Sequence, residues 1–231
     1  MISVNNLTKK YGATTVLNIP SLEIPIGESF GLVGNNGAGK TTFFSLLLDL
    51  IQPTTGSVSI KDIQVNVSEQ WKTKTASFLD ESFLIGYLTP EEYFYFIGEL
   101  RGQNKSDVDQ TLAKYSEFFN DEILNSKKYI RDFSKGNQKK VGIIGTLIGN
   151  PEVVVLDEPF ANLDPTTQFR LKKIIGDLAA DPNITVLVSS HDLNHTVEVS
   201  NRIVALSKGE IVKDIRTSEE TLKELEAFFA V

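Results

Sequence analysis

Apolar residues recur along this chain in two registers. To about Val33 the runs are short and β-like: Ile2–Leu7, Thr14–Ile19 and Ser21–Ile26, punctuated by glycine and proline. They predict antiparallel strands leading into a core. Phe30, Leu32 and Val33 form another strand-like run. Phe43, Phe44, Leu46 and Leu47 follow at helical spacing, with Pro53 beyond to end the helix. Gly56–Val67 returns to strand, and a further strand ends at Ser77-Phe78-Leu79. From Asp80 to about Asn150 the chain turns aromatic and helical. Thr89-Pro90-Glu91-Glu92 has both halves of a capping box, with proline at the first helical position. The helix it starts is apolar nearly all round (Tyr93, Phe94, Tyr95, Phe96, Ile97). That predicts full burial, or half burial with an exposed docking face. Val153–Leu156 is short and wholly apolar, as a strand buried on both faces of a parallel sheet would be. Leu171, Ile174, Ile175 and Leu178 mark one face of a helix. Ile184–Val188 reads as a strand and Arg202–Ile215 as strand-turn-strand, turning at Ser207-Lys208-Gly209-Glu210. Thr217–Val231 predicts a short amphipathic helix with Leu222, Leu225 and Phe228 on the side packed to the core.

Composition narrows the class. The 231 residues, 41% of them hydrophobic, suffice for one α/β unit with an inserted helical part. Cysteine is absent, which rules out disulfides and thiolate metal sites. The net charge of −7 argues against nucleic-acid binding, and Lys139 with Lys140 is too small a basic patch to offset it. The opening Met-Ile-Ser-Val-Asn-Asn lacks a signal pattern, and no apolar run approaches the roughly 20 residues that span a bilayer. A soluble chain is expected, with any membrane work done by another polypeptide.

Two stretches carry chemistry. Gly34-Asn35-Asn36-Gly37-Ala38-Gly39-Lys40-Thr41 lies between the apolar strand at Val33 and the helix at Phe43. Glycines let the backbone wrap a phosphate, and the helix offers its positive end to the same anion. Lys40 supplies a point charge to the outer phosphates, and the Thr41 hydroxyl suits Mg²⁺. Asn35, Gly37, Ala38, Gly39, Lys40, Thr41 and Thr42 are therefore the candidate nucleotide-binding residues. The second stretch is Asp157-Glu158, two carboxylates at the C-terminal end of the Val153 strand, where α/β sheets place ligands. Adjacent carboxylates repel, so they need a cation or separate tasks. Asp157 suits Mg²⁺, through water, and Glu158 suits orienting and deprotonating an attacking water.

With these in place the chain resembles an ATP-binding-cassette (ABC) ATPase subunit over nearly its whole length. Tyr11, in Leu-Thr-Lys-Lys-Tyr-Gly, matches the aromatic that stacks on adenine, though alone it reads equally as a turn aromatic. Phe133-Ser134-Lys135-Gly136-Asn137 stands where the family has Leu-Ser-Gly-Gly-Gln. Ser134 also reads as a helix cap. Ala161–Pro165 resembles the loop that crosses to a partner subunit, with Asp164 inside it, and Ser189-Ser190-His191-Asp192 resembles the histidine switch. His195 has no motif behind it and reads as structural or exposed.

The resemblance implies a RecA-like phosphate-loop core with an N-terminal antiparallel β subdomain and an inserted α-helical subdomain. Residues 1–80 and 151–231 would form the β subdomain and core, and about 81–150 the helical part. It further implies ATP and Mg²⁺, with Lys40, Glu158 and His191 catalytic and Ser134, Gly136 and Asp164 on nucleotide across a head-to-tail dimer. A transmembrane permease is the implied partner, bound at the junction of core and helical part. That would hold the chain on the inner face of the cell membrane. The Ser-Lys-Gly form of the signature is similar to subunits serving bacterial exporters. A departure stands after Leu79: the family's glutamine is replaced by Glu81, or in a shifted register by Asp80, so Glu81 joins Thr41 and Asp157 as a candidate metal ligand. Two other readings stay open: a soluble ABC module without a permease, and a nucleotide-dependent switch that scarcely hydrolyses.

Overall fold

The computed structural model describes residues 1–229. Four strands form an antiparallel sheet in the order β2-β1-β4-β5: β1 (Ile2–Tyr11), β2 (Thr14–Ile24), β4 (Thr55–Ile60) and β5 (Ile63–Gln64). A second sheet has the order β10-β9-β3-β8-β7-β6, from β3 (Ser29–Val33), β6 (Thr75–Phe78), β7 (Val153–Asp157), β8 (Thr185–Ser190), β9 (Arg202–Ser207) and β10 (Glu210–Arg216). Within it β6 to β9 and β3 run parallel, and β10 closes one edge as an antiparallel hairpin arm. Helix α1 (Lys40–Leu47) follows β3. Between β6 and β7 come α2 (Pro90–Leu100), α3 (Lys105–Lys114), α4 (Ser116–Phe119) and α5 (Lys135–Leu147). Then α6 (Pro165–Ala179), α7 (Leu193–Val199) and α8 (Thr221–Phe229) complete the chain.

The period of two along the strands divides the core. Val153 and Val155 of β7 pack with α1 and the antiparallel sheet, among Phe30, Phe43 and Phe44. Val154 and Leu156 point the other way, to Phe78, Phe94, Ile144 and Leu171. Alternate residues of a strand must face opposite sides, so an all-apolar strand binds two cores at once. Its C-terminal end, and those of β3 and β8, are thereby fixed on one edge.

Three details depart from the periodicity. Thr14–Ile19 and Ser21–Ile26 merge into β2 across Pro20. That strand lies at the sheet edge, and the β1 register skips Asn6 opposite, so the missing N–H costs no ladder bond. Gly56–Val67 is not one strand but the β4–β5 hairpin, turned at Lys61 and Asp62, both left-handed (φ 51° and 63°). In α8 the packed residues are Leu225 and Phe229, four apart, whereas Phe228 is exposed beneath the Lys213 ammonium. The last two residues of the expected tail helix lie outside the described residues.

Helix α2 has the expected capping box, Glu92 N–H donating to Thr89 Oγ1 at 3.3 Å and Thr89 N–H to Glu92 Oε2 at 2.8 Å. It is half-buried: Phe94 is inside, while Phe96 and Leu100 are exposed. Helix α5 is buried along most of its length. It lies so close to β6 that a Cβ on Gly142 would stand 2.1 Å from the Phe78 ring.

That contact gives a stability prediction. Gly142→Ala gains about 1 kcal/mol of helix propensity but overpacks at a cost of about 1–3 kcal/mol. The net is a loss, read as a lower Tm. Phe78→Leu makes room, so the double variant should be more stable than the sum of the single changes. Additive effects would mean the ring moves aside freely.

Candidate functional site

The loop between β3 and α1 is shaped by glycine. Gly37 and Gly39 take left-handed φ values of 81° and 108°, and a Cβ at Gly39 would meet Leu17 and the Val16 carbonyl at 3.1 and 3.2 Å. No side chain caps α1 at Gly39, which leaves the first-turn N–H groups available to an anion. The β9–β10 turn buttresses the loop, Gly209 N–H donating to the Ala38 carbonyl at 2.9 Å. Residues 36 to 42 line a cavity of about 290 Å³ together with Val16 and Glu158. Of the expected nucleotide-binding residues, Gly37 to Thr42 share it. Asn35 stands beside it, its carbonyl accepting from Ala38 N–H at 3.0 Å.

The two carboxylates leave β7 in different directions. Asp157 is buried, and its two oxygens accept from the hydroxyls of Thr41 (2.6 Å) and Ser189. Burial pushes the Asp157 carboxyl up, opposed by the Ser189 and Thr41 hydrogen bonds. A buried carboxylate with only hydroxyl partners lacks a cation, and an adjoining threonine hydroxyl completes an all-oxygen donor pair. Mg²⁺, which takes few protein ligands beside water and substrate phosphate, fits that set. No cluster of three or more His, Cys, Asp or Glu side chains exists among the described residues, so a dedicated all-protein metal cage is not offered.

Glu158 has a left-handed backbone, φ 46°, a conformation that costs about 1–3 kcal/mol unless the surroundings fix it. They do: its N–H donates to the carbonyl and hydroxyl of Ser189, each at 3.1 Å, and its carbonyl accepts from Lys139 Nζ at 2.8 Å. Its carboxylate meets Lys40 Nζ at 3.3 Å, His191 Nδ1 at 2.8 Å and Ser190 Oγ at 3.3 Å. Lys40 is itself buried and donates to the Gly34 carbonyl at 2.7 Å. Lys40, Glu158 and His191, far apart in sequence, therefore form one contiguous cluster at the C-terminal edge of the parallel strands.

Ser134, Gly136 and Asp164 are elsewhere. They line a separate concavity of about 400 Å³ with Asn137, Lys140 and Asn162. Ser134 caps α5 by accepting from Asn137 N–H at 3.3 Å. Gly136 is required by close approach, since a Cβ there would lie 2.8 Å from the Asn162 carbonyl. Asp164 caps α6, and the Thr167 hydrogen bonds hold its carboxyl below the usual range. Tyr11 ends β1 with 56% of its surface exposed and the Lys9 ammonium 4.9 Å above its ring, and it does not line the phosphate-loop cavity.

Glu81, expected as a metal ligand, has a lysine as its charged neighbour. Its Oε1, shielded from solvent, lies 3.6 Å from the Nζ of buried Lys139, an ion pair longer than a hydrogen bond. Asp80, the alternative register, caps the short turn that follows β6, accepting from Ser82 N–H at 2.7 Å. His195 packs on Phe160 at a ring separation of 4.8 Å, a structural role. Sequence reasoning missed Val16 and Lys139. Val16 carried no signal beyond its place in the Thr14–Ile19 run. Lys139 was legible only as half of a weak basic pair.

The comparisons with known proteins bear on the same residues. Residues 17–161 match the family model described as ABC transporter. The bacitracin transport ATP-binding protein BcrA of Enterococcus faecalis is 32% identical over 223 residues, 95% of this chain and 70% of that protein. The lantibiotic transport ATP-binding protein SrtF of Streptococcus pyogenes is 29% identical over 231 residues, 97% of this chain and 95% of that one. In fold the chain is similar to the dimeric post-hydrolysis state of the ATP-binding cassette MJ0796 bound to ADP and Pi. The TM-score is 0.83 at 24% identity, covering 94% of this chain and 99% of that one. A phosphate loop, a two-carboxylate strand end and a histidine converge on one sheet edge, and the sequence match spans them up to the second carboxylate: the chain belongs to the ABC transporter family and is an ATP-binding-cassette ATPase.

Proposed function

We propose that this chain is the ATP-hydrolysing subunit of a membrane exporter and works as a head-to-tail dimer with ATP between the copies. The cluster of Lys40, Glu158 and His191 beside the Thr41–Asp157 pair carries the reading. The loop N–H groups of residues 37–42 bind the phosphates, and Lys40 exchanges the Gly34 carbonyl for phosphate oxygens. Glu158 orients the attacking water and takes its proton, while His191 and Ser190 hold its carboxylate in line. Thr41, and Asp157 through water, would hold Mg²⁺, which would supply charge neutralisation at the outer phosphates.

Ser134, Gly136 and Asp164 line a concavity of their own, so within one chain they do not complete the phosphate site. A second copy turned head to tail supplies them, with the N-terminus of α5 offering its dipole to the far side of the triphosphate. Tyr11 stacks on the base. Residues 81–150 receive the permease. A groove of about 400 Å³ runs between β6, α2 and α5, bordered by Tyr93, Ile97, Leu100 and Arg101. The segment after β6 exposes Phe83, Ile85 and Tyr87 at alternate positions, with Arg131 stacked 4.3 Å over the Tyr87 ring. Among the described residues no helix is long and apolar enough to cross a membrane; in this reading the partner is a membrane-spanning permease, with this subunit on the cytoplasmic face. Export is favoured by the likeness to the bacitracin and lantibiotic transport subunits.

Lys40→Ala should weaken ATP binding itself by removing the phosphate cation. Glu158→Gln should leave binding intact, slow turnover by about 10²–10⁴-fold and accumulate an ATP-bound dimer. Size-exclusion chromatography with ATP and Mg²⁺ reads the dimer, and a monomeric Glu158→Gln protein at high concentration contradicts the sandwich. Mixing Lys40→Ala with Ser134→Arg chains should restore part of the ATPase activity. The mixed dimer gathers both defects in one site and leaves the other intact. No recovery, with no mixed dimer detected, contradicts the head-to-tail geometry. Tyr87→Asp with Leu100→Asp should keep ATPase turnover while abolishing co-purification with a multi-span membrane protein. Unchanged co-purification removes this surface from the docking site.

A further inference from the structure

Lys139 is an oddity. It is a lysine with its side chain buried, on α5, five residues after the cap Ser134, and its ammonium faces no open solvent. Among the described residues its one hydrogen bond goes to the backbone carbonyl of Glu158 at 2.8 Å, and its one ion-pair partner is Glu81 at 3.6 Å. Glu81 opens the segment that leads from β6 into the helices, and Lys139 belongs to the helix that begins at the second concavity. The pair therefore ties two parts of the helical region to Glu158 and its left-handed backbone.

Burying an ammonium is costly, and a core position could be filled by an apolar side chain at no such cost. The geometry points to a use for the charge: we infer that Lys139 is a positioning residue for hydrolysis, locking the Glu158 carbonyl so that the carboxylate is held toward Lys40 and His191. The Glu158 peptide is clamped from both sides, by Ser189 at its N–H and by Lys139 at its carbonyl. Without the second clamp the left-handed backbone relaxes toward ordinary φ, and rotation at that residue swings the carboxylate away from its partners. Because Lys139 rides on α5, the clamp closes fully only when that helix sits in the place seen here. A movement of α5 at the dimer face is thus felt at the base. Glu81 holds the ammonium at this position and makes no hydrogen bond or ion pair with Lys40, Glu158 or His191.

The inference rests on Glu158 being the base, and the test separates the two. Lys139→Met alone strands the Glu81 charge in the interior and risks unfolding, so the decisive variant is Glu81→Gln with Lys139→Met, which leaves no buried charge unpaired. Nucleotide affinity, measured with a fluorescent ATP analogue, should stay within about twofold of wild type because the phosphate loop is untouched. The kcat should fall by about 100-fold, the scale of a misplaced catalytic group, with KM nearly constant. Glu81→Gln alone, with the ammonium retained, should keep kcat within about fivefold, and Glu81→Gln with Lys139→Arg should recover most of the activity lost in the methionine variant. A Glu81→Gln, Lys139→Met variant that is folded and turns over at the wild-type rate overturns the inference while Glu158→Gln remains slow. A fast Glu158→Gln overturns the base assignment, and the positioning role with it.

Discussion

Everything in this molecule converges on the exit of β7 from the core. The strand is apolar on both faces, so it cannot shift without uncovering two packed clusters. Yet its last residue and the next are carboxylates. A carboxylate out of water costs several kcal/mol unless partnered, and the partners must come from other elements. Thr41 comes from α1, Ser189 and Ser190 from β8, His191 from just past β8, and Lys40 from the phosphate loop. The site is assembled from the groups that make those two charges tolerable.

The same constraint explains why the site can do chemistry. Lys40 is shared between the Gly34 carbonyl and Glu158, both weaker partners for an ammonium than a triphosphate. It can be drawn to phosphate without stranding Glu158, because His191 and Ser190 keep that carboxylate partnered. Asp157 is kept apart from this exchange by two hydroxyls, one of which belongs to the residue that would hold the metal beside it. Adjacent carboxylates thus meet different partners because the backbone turns left-handed between strand and loop.

Much of this was legible in the sequence because it is local. The loop at Gly34–Thr41 needs no tertiary context, since its glycines and its place between strand and helix state the conformation. The capping box at Thr89 and the all-apolar β7 are likewise written in a few adjacent residues. What escaped is set by neighbours distant in the chain. Pro20 reads as a break until β2 is known to be an edge strand. Phe228 and Phe229 are indistinguishable by composition, and only the packing against Val33 and Ile203 selects the second. Glu81 reads as a metal ligand by its place in the family pattern. Its pairing with Lys139 needs the fold to bring the start of the helical region against α5. Charge pairs within a helix obey spacing rules, but pairs between helices do not announce themselves.

The most direct test is a crystal structure of the wild-type chain with a non-hydrolysable ATP analogue and Mg²⁺. The account predicts that Lys40 Nζ leaves the Gly34 carbonyl and Glu158 for the phosphates. The Glu158 carboxylate should stay on His191 and keep its left-handed backbone, and the metal should sit against Thr41 beside Asp157. Nucleotide bound with Lys40 still paired to Glu158, or a metal held away from Thr41 and Asp157, would contradict it.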